Sequence, residues 1–366
     1  MILIQGGNGH GKSNLLEAIY MCAIGKSLRA SAERELICWN ADSAFCHTRV
    51  AVDVVRAKDE VHIQIDFKTS SETNLHQNAG HSTSVQKYLR VNGIPRRAAE
   101  FVGQINAVLF TADDLSLILG TPSVRRKYLD ILLSQLDRTY LRALQRYQQI
   151  LKQRNYLLKS TNGNRLNNRE TEFWNQELAS VGGTIMSIRS STITELAHTI
   201  SPIHQELVGG KEELDLVYMP SVNSCTSADA TQCSSLILEA LEKVKLRELS
   251  QKTTVVGPHR DDFRLLLNGS DASLYASRGE ARTMVLAMKL GEVKHLEEQS
   301  GQVPIVLLDD VLSELDNARR VHILNEVNKY GQCLITTAEP ESIQEEFLLK
   351  MSNFSVLKGT IKSLRK

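Results

Sequence analysis

Residues Gly6 to Ser13 read GGNGHGKS, which meets the pattern G-x-x-x-x-G-K-[ST] at every fixed position. This loop constrains the fold tightly, because it works only between the end of a buried strand and the first turn of a helix. Both flanks fit. Met1-Ile-Leu-Ile4 is an apolar run that ends abruptly in glycine, as a buried parallel strand does. Leu15, Leu16, Ile19, Tyr20 and Ala23 recur at helical spacing, and Gly25 can end that helix. Gly6, Gly7, Asn8, Gly9, His10 and Gly11 then form a loop whose backbone N–H groups can turn inward onto phosphate oxygens. Lys12 supplies a point charge for the β- and γ-phosphates, and the Ser13 hydroxyl can ligate Mg²⁺. The N-terminal segment is a nucleoside triphosphate site by this reading, with ATP and Mg²⁺ as its expected ligands.

Such a site also needs a carboxylate at the end of a neighbouring strand. Val303-Pro-Ile-Val-Leu-Leu-Asp-Asp310 is an apolar run ending in two, so Asp309 is expected to serve the metal and Asp310 the catalytic acidic position. The competing reading is a buried strand whose acidic end caps the next helix. About 300 residues separate Lys12 from Asp309, so a large segment is inserted between two halves of one nucleotide-binding domain. Further on, Cys333-Leu-Ile-Thr-Thr337 reads as another buried strand that ends in hydroxyls.

A third element precedes the acidic strand. Ser277-Arg-Gly-Glu280 has capping-box spacing and opens a helical pattern with Met284, Val285, Met288 and Val293 as its apolar positions. A second helix N-terminus offering serine and glycine also suits the phosphate of a nucleotide bound to another subunit, but on this motif alone an ordinary capped helix is the favoured reading.

Residues 121–250 read as mostly helical, with loops at 160–168 and 220–235. The whole chain carries a formal charge of +1, which excludes polyanion binding through bulk charge. From Arg125 to Arg169, however, there are eleven basic residues against two acidic ones. Leu136, Tyr140, Leu144, Tyr147 and Leu151 make an apolar stripe, with Arg138, Arg142 and Arg146 behind it, a candidate track for a nucleic-acid backbone. A solvated charged face is the alternative. The six cysteines include no Cys-x-x-Cys pair, so neither a structural zinc site nor a disulfide scaffold is expected. No apolar run approaches membrane-spanning length and no basic-then-apolar leader opens the chain, so a soluble, cytoplasmic protein is expected.

Taken together, these segments resemble the RecF family of bacterial DNA repair ATPases, whose heads are similar to those of ABC and SMC proteins. The blocks that carry the resemblance are GGNGHGKSNLLEAIY (6–20), AVLFTADDLSLILGTPSVRRKYLD (107–130), QRNYLLK (153–159), VVGPHRDDF (255–263), SRGEARTMVLAMKL (277–290) and VPIVLLDDVLSELD (303–316). The resemblance implies an α/β fold: a P-loop ABC/SMC-like ATPase head, from 1–120 and 251–366, with a mostly helical lobe, 121–250, inserted in it. It implies ATP-dependent homodimerisation in which Ser277, Gly279 and Glu280 contact the partner's ATP, with slow hydrolysis as the off switch, and binding of double-stranded and gapped or single-stranded DNA. It also implies work with RecR and RecO to load RecA, in gap repair, replication-fork maintenance and SOS induction.

The family has a segment before the P-loop strand, with an early strand pair and a Phe-Arg-Asn-type motif. Met1 opens almost directly on the P-loop strand, which reads as a misassigned start or a truncated form. Glu280 also stands where glutamine is frequent in the superfamily. His259, in the block GPHRDD, reads as a hydrogen-bonded structural histidine. A transport ATPase subunit fits the basic insertion poorly. An SMC-like tether would need long heptad arms, and a nuclease relative would need a further carboxylate cluster.

Overall fold

The computed structural model describes residues 1–38, 47–56, 59–70, 84–160, 168–222, 225 and 229–364. Contacts divide the chain into two compact units, Met1–Ala112 with Leu296–Lys366, and Asp113–His295.

The first unit is built on a six-stranded sheet in the order Thr360–Ser363, Ser352–Leu357, Ile2–Gln5, Cys333–Thr337, Ile305–Asp309, Ala107–Thr111. All neighbours are parallel except the last hairpin, Ser352–Leu357 with Thr360–Ser363. Continuous apolar runs suit strands covered on both faces. Leu3, Ile4, Val306, Leu307, Leu308 and Ile335 are accordingly buried. Register places Asp309 beside Thr336 on one side and Thr111 on the other. The helix Lys12–Ile24 buries Leu16, Tyr20 and Ala23, and Gly25 ends it in a left-handed conformation, as the spacing predicts. The helix Asn317–Asn328 starts where the Asp316 carboxylate accepts the Arg319 backbone N–H at 2.9 Å. A separate antiparallel sheet, His47–Val55, Glu60–Ser70, Ser84–Val91 and Ile94–Pro95, buries Ile63, Ile65 and Phe67 on one face.

The second unit is mostly helical: Pro122–Leu136, Arg138–Ser160, Asn168–Val208, Ala230–Gln251 and all but the last turn of Arg278–Ser300. It also holds a three-stranded sheet, Leu214–Met219, Asp262–Leu267 and Ser270–Asp271. Three buried arginines hold its interior, and every guanidinium nitrogen of the three finds an acceptor. Arg125 forks onto Asp262 with two 2.8 Å bonds. Arg154 reaches Glu248 at 2.6 Å and Thr254 at 2.7 Å. Arg189 joins Asp130, the Tyr140 hydroxyl and the Pro258 carbonyl. Gly257 is required where it stands, because a Cβ there would lie 2.5 Å from the Tyr147 hydroxyl.

The unit boundary differs from the sequence reading of 120 and 250. Strand Asp262–Leu267 pairs with Leu214–Met219, and buried Lys289, in the helix opened by Ser277, lies 3.5 Å from Asp114 and 3.2 Å from Glu292. These contacts gather 113–120 and 251–295 into the second unit. Three local readings are corrected. Leu136 ends one helix and the arginine-bearing helix starts at Arg138, so the expected stripe runs across a break. Arg125 and Arg154 are buried in ion pairs, so the basic segment presents fewer free cations than its count suggests. The expected loop at 220–235 gives way at Ala230 to a helix capped by Asp229. Of the expected loop at 160–168, residues 161–167 lie outside the described residues. Among the described residues no helix is long and apolar enough to cross a membrane.

Candidate functional site

The loop between Gln5 and Lys12 is shaped by close approach on one side and by left-handed backbone on the other. A Cβ on Gly6 would lie 2.4 Å from the Val356 carbonyl oxygen, which only glycine avoids. Gly11 has φ +102, a region L side chains rarely adopt. Gly7, Asn8 and Gly9 are exposed and His10 is half-buried. Lys12 is 7% exposed, and its ammonium donates to the carbonyls of Gly6 at 2.7 Å and Gly7 at 3.1 Å. The lysine is thereby folded back across the mouth of its own loop, a pre-positioned charge for a polyanion.

The structure brings the two distant halves of the expected site together. The Ser13 hydroxyl donates to Asp309 Oδ1 at 2.8 Å. The Thr336 hydroxyl donates to the same oxygen at 2.9 Å and accepts the Asp310 backbone N–H at 3.1 Å. Arg29 Nη2 lies 2.6 Å from Asp309 Oδ2. Asp309, 6% exposed, is therefore held by two hydroxyls and a guanidinium. Asp310 sits just past the strand with φ +55, and its Oδ1 is buried with no hydrogen-bond partner. A serine hydroxyl, a buried carboxylate and an unpartnered carboxylate oxygen make the hard oxygen set that Mg²⁺ takes together with phosphate oxygens. The residues present thus fit a magnesium–nucleotide complex: Ser13 and Asp309 would hold the metal, and the metal would screen phosphate charge.

Ser277, Gly279 and Glu280 lie in the second unit, at the start of Arg278–Ser300. The expected capping box is present, with the Ser277 N–H donating to Glu280 Oε2 at 2.7 Å and the Glu280 N–H to Ser277 Oγ at 3.3 Å. Those bonds from Ser277 hold the half-buried Glu280 carboxyl below its ordinary pKa. Ser277 and Gly279 are exposed. Arg138 and Arg142 are exposed on Arg138–Ser160, whereas Arg146 pairs with Glu177. His259 is a structural histidine. Its Nδ1 meets the Tyr147 hydroxyl at 2.7 Å and its Nε2 the Thr254 carbonyl at 3.1 Å. Burial pushes its pKa down to about 4.

Two site features escaped the sequence reading. Arg29 follows the P-loop helix in the run Gly25-Lys-Ser-Leu-Arg29, with no periodicity or motif to mark its partner. Its backbone N–H is fixed by Ser27 Oγ at 3.1 Å, and Ser27 in turn donates to Glu17. The other feature is the turn Lys358–Gly359, whose Gly359 N–H donates to the His10 carbonyl at 2.9 Å.

Comparison with known proteins agrees with this geometry. The family model described as the RecF/RecN/SMC N terminal domain matches residues 1–359. The DNA replication and repair protein RecF of Chloroflexus aurantiacus is 37% identical over 98% of this chain and 93% of its own length. That of Bacillus mycoides is 36% identical over 98% and 91%. A solved structure of the recombination mediator protein RecF with ATP, in the RecFOR pathway, superposes with a TM-score of 0.84 at 31% identity, over 100% of this chain and 91% of that one. On full-length sequence likeness, shared fold and an assembled P-loop site, the chain belongs to the RecF family of DNA replication and repair proteins.

Proposed function

We propose that this chain is an ATP-dependent, DNA-binding recombination mediator that acts in DNA replication and gap repair. The observation that supports the reading is the 2.8 Å bond from Ser13 to Asp309, which joins residues nearly 300 positions apart as a metal–nucleotide site would need. In this reading Gly6 to Ser13 hold the phosphates of ATP, Ser13 and Asp309 hold Mg²⁺, and Asp310 positions the attacking water. By function rather than by contact grouping, residues 1–120 and 251–366 act as the ATP-binding head and 121–250 as its inserted lobe.

Ser277, Gly279 and Glu280 present an exposed helix N-terminus, the kind of group that completes a phosphate site on a second copy. Two copies then enclose two nucleotides, and slow, DNA-dependent hydrolysis releases them. The basic face of Arg138–Ser160, with Arg138, Arg142 and Arg146, contacts the DNA backbone. Double-stranded and gapped or single-stranded DNA are the substrates, and RecR, RecO and RecA the partners. The setting is the bacterial cytoplasm, and the response supported is SOS induction.

Light scattering of the purified chain without nucleotide, with ADP and with a non-hydrolysable ATP analogue tests the mechanism. A dimer formed only with the ATP analogue is expected. A monomer in all three conditions, in a chain shown separately to bind the analogue, would remove the role given to Ser277.

A further inference from the structure

The hairpin at the end of the first unit's sheet closes through two residues, Lys358 and Gly359, because Leu357 pairs directly with Thr360. Both have positive φ, +49 and +77, the geometry of a type I′ turn. Asparagine followed by glycine favours that turn, and lysine at its first position is strained.

The hairpin follows the phosphate loop along its length. Ser355 is in register with Gln5, the last residue of the P-loop strand. The next residue, Val356, is the one whose carbonyl excludes a side chain from Gly6. Where the loop ends, the Gly359 N–H donates to the His10 carbonyl at 2.9 Å, and a Cβ on Gly11 would lie 3.6 Å from Gly359 Cα. The hairpin therefore touches the loop at its first and its last glycine.

The peptide plane gives the His10 bond a consequence. In a trans peptide the carbonyl of one residue and the N–H of the next point in opposite directions. With the His10 carbonyl drawn onto the turn, the Gly11 N–H is aimed the other way, away from the hairpin. Phosphate loops bind anions by aligning such N–H groups, and a peptide free to flip would present its carbonyl to the anion instead.

We propose that the Lys358–Gly359 turn is a positioning element of the nucleotide site, and that its Gly359 N–H sets the His10–Gly11 peptide for phosphate binding. The inference rests on the nucleotide-binding reading above and adds a residue to it from the far end of the chain. The strain at Lys358 is tolerated because the turn must place one N–H at one carbonyl.

The test is titration of the full chain with a fluorescent ATP analogue and its ADP counterpart, alongside thermal melts. Gly359→Ala, which strains the φ of +77, should weaken both nucleotides about fivefold, the worth of one hydrogen bond. An amide-to-ester replacement at the Gly359 nitrogen, introduced by semisynthesis, deletes the donor without changing a side chain and should weaken them equally. Lys358→Asn keeps the turn and relieves its strain, so it should raise the melting temperature. Ile361→Ser loosens the same hairpin away from the turn and serves as the purely structural control. Wild-type affinity in the ester variant would overturn the proposal. So would an affinity loss in Ile361→Ser as large as that in Gly359→Ala. A wild-type chain that bound neither nucleotide, or a Lys12→Ala variant that bound as well as wild type, would instead defeat the nucleotide site itself.

Discussion

Arg29→Ala separates what the arginine does for the fold from what it does for the nucleotide. In the structure its guanidinium holds Asp309 Oδ2 at 2.6 Å, with the carboxylate 6% exposed and the arginine side chain 45% exposed. Removing one partner of a fully buried pair costs about 3–5 kcal/mol, whereas exposed pairs are worth about 0.2–1 kcal/mol. Nearly half of Arg29 is in solvent, and Asp309 keeps the Ser13 and Thr336 hydroxyls as donors. The smaller range therefore governs, and a loss of about 0.5–1 kcal/mol should lower the melting temperature of the nucleotide-free protein by about 1–4 °C. The same pair opposes metal binding, because Arg29 occupies an oxygen of the carboxylate that would face Mg²⁺. Deleting the competitor should tighten the Mg²⁺-loaded fluorescent ATP analogue by about two- to fivefold, the same free energy read from the other side. Affinity measured in EDTA should not change. An identical shift with and without Mg²⁺ would refute the competition, and a loss of more than about 10 °C would refute the discount for solvent exposure.

Two substitutions test the remaining chemistry. Asp310→Asn keeps a residue that tolerates the left-handed backbone and removes only the charge, so it should fold normally. ATP turnover should then fall by about a hundredfold or more, with the ATP-bound dimer persisting, and an unchanged turnover rate would exclude a catalytic role. Replacing Arg138, Arg142 and Arg146 together should reduce the salt dependence of DNA binding by about 0.9 in log–log slope for each lost phosphate contact. An unchanged slope would return that face to ordinary solvated charge.

The parts of the site that were legible in the sequence are those written in local spacing. Strand, glycine loop and helix stand within the first 25 residues, and the capping box of Ser277 and Glu280 spans one helical turn. Asp309 was legible because an apolar strand that ends in carboxylate is unusual enough to draw notice beside a P-loop. Arg29 was not, since its partner lies 280 positions away and nothing periodic links them. Charge counting failed at Arg154 for a related reason: Glu248, which neutralises it, is 94 positions distant, so a buried arginine and an exposed one look alike. The strand Leu214–Met219 has a legible pattern that its surroundings mask. Leu-Asp-Leu-Val-Tyr-Met alternates buried with exposed along its whole length, but it lies in a segment whose flanks are strongly helical. The turn at Lys358 and Gly359 shows a hairpin signal, but its approach to His10 follows from the strand order, which places the last hairpin beside the first strand.

The block GPHRDD carries a testable pH dependence that no motif would suggest. His259 is satisfied as a neutral ring: Nε2–H donates to the Thr254 carbonyl, and Nδ1 accepts from the Tyr147 hydroxyl. Burial opposes the charged form, as do the nearby Arg260, Arg126 and Arg154, and the pKa falls from 6.5 to about 4. Unfolded, the imidazole takes its proton near pH 6.5; folded, only near pH 4. Between these values the unfolded chain binds more protons, so this contribution is fully present above pH 6.5 and is lost as pH falls toward 4. The gap sets a ceiling of about 3 kcal/mol. Other buried groups titrate as well, and Asp261, whose pKa is raised by burial, pulls the opposite way. The contrast with His259→Gln isolates the histidine, because glutamine keeps a donor and an acceptor but has no proton to gain. Thermal melts from pH 8 to pH 4.5 should show wild type ahead at the alkaline end and its lead shrinking steadily below pH 6.5. A lead that stayed constant across the range would mean that His259 titrates alike in the folded and unfolded chain, and that its two hydrogen bonds do not fix the neutral ring.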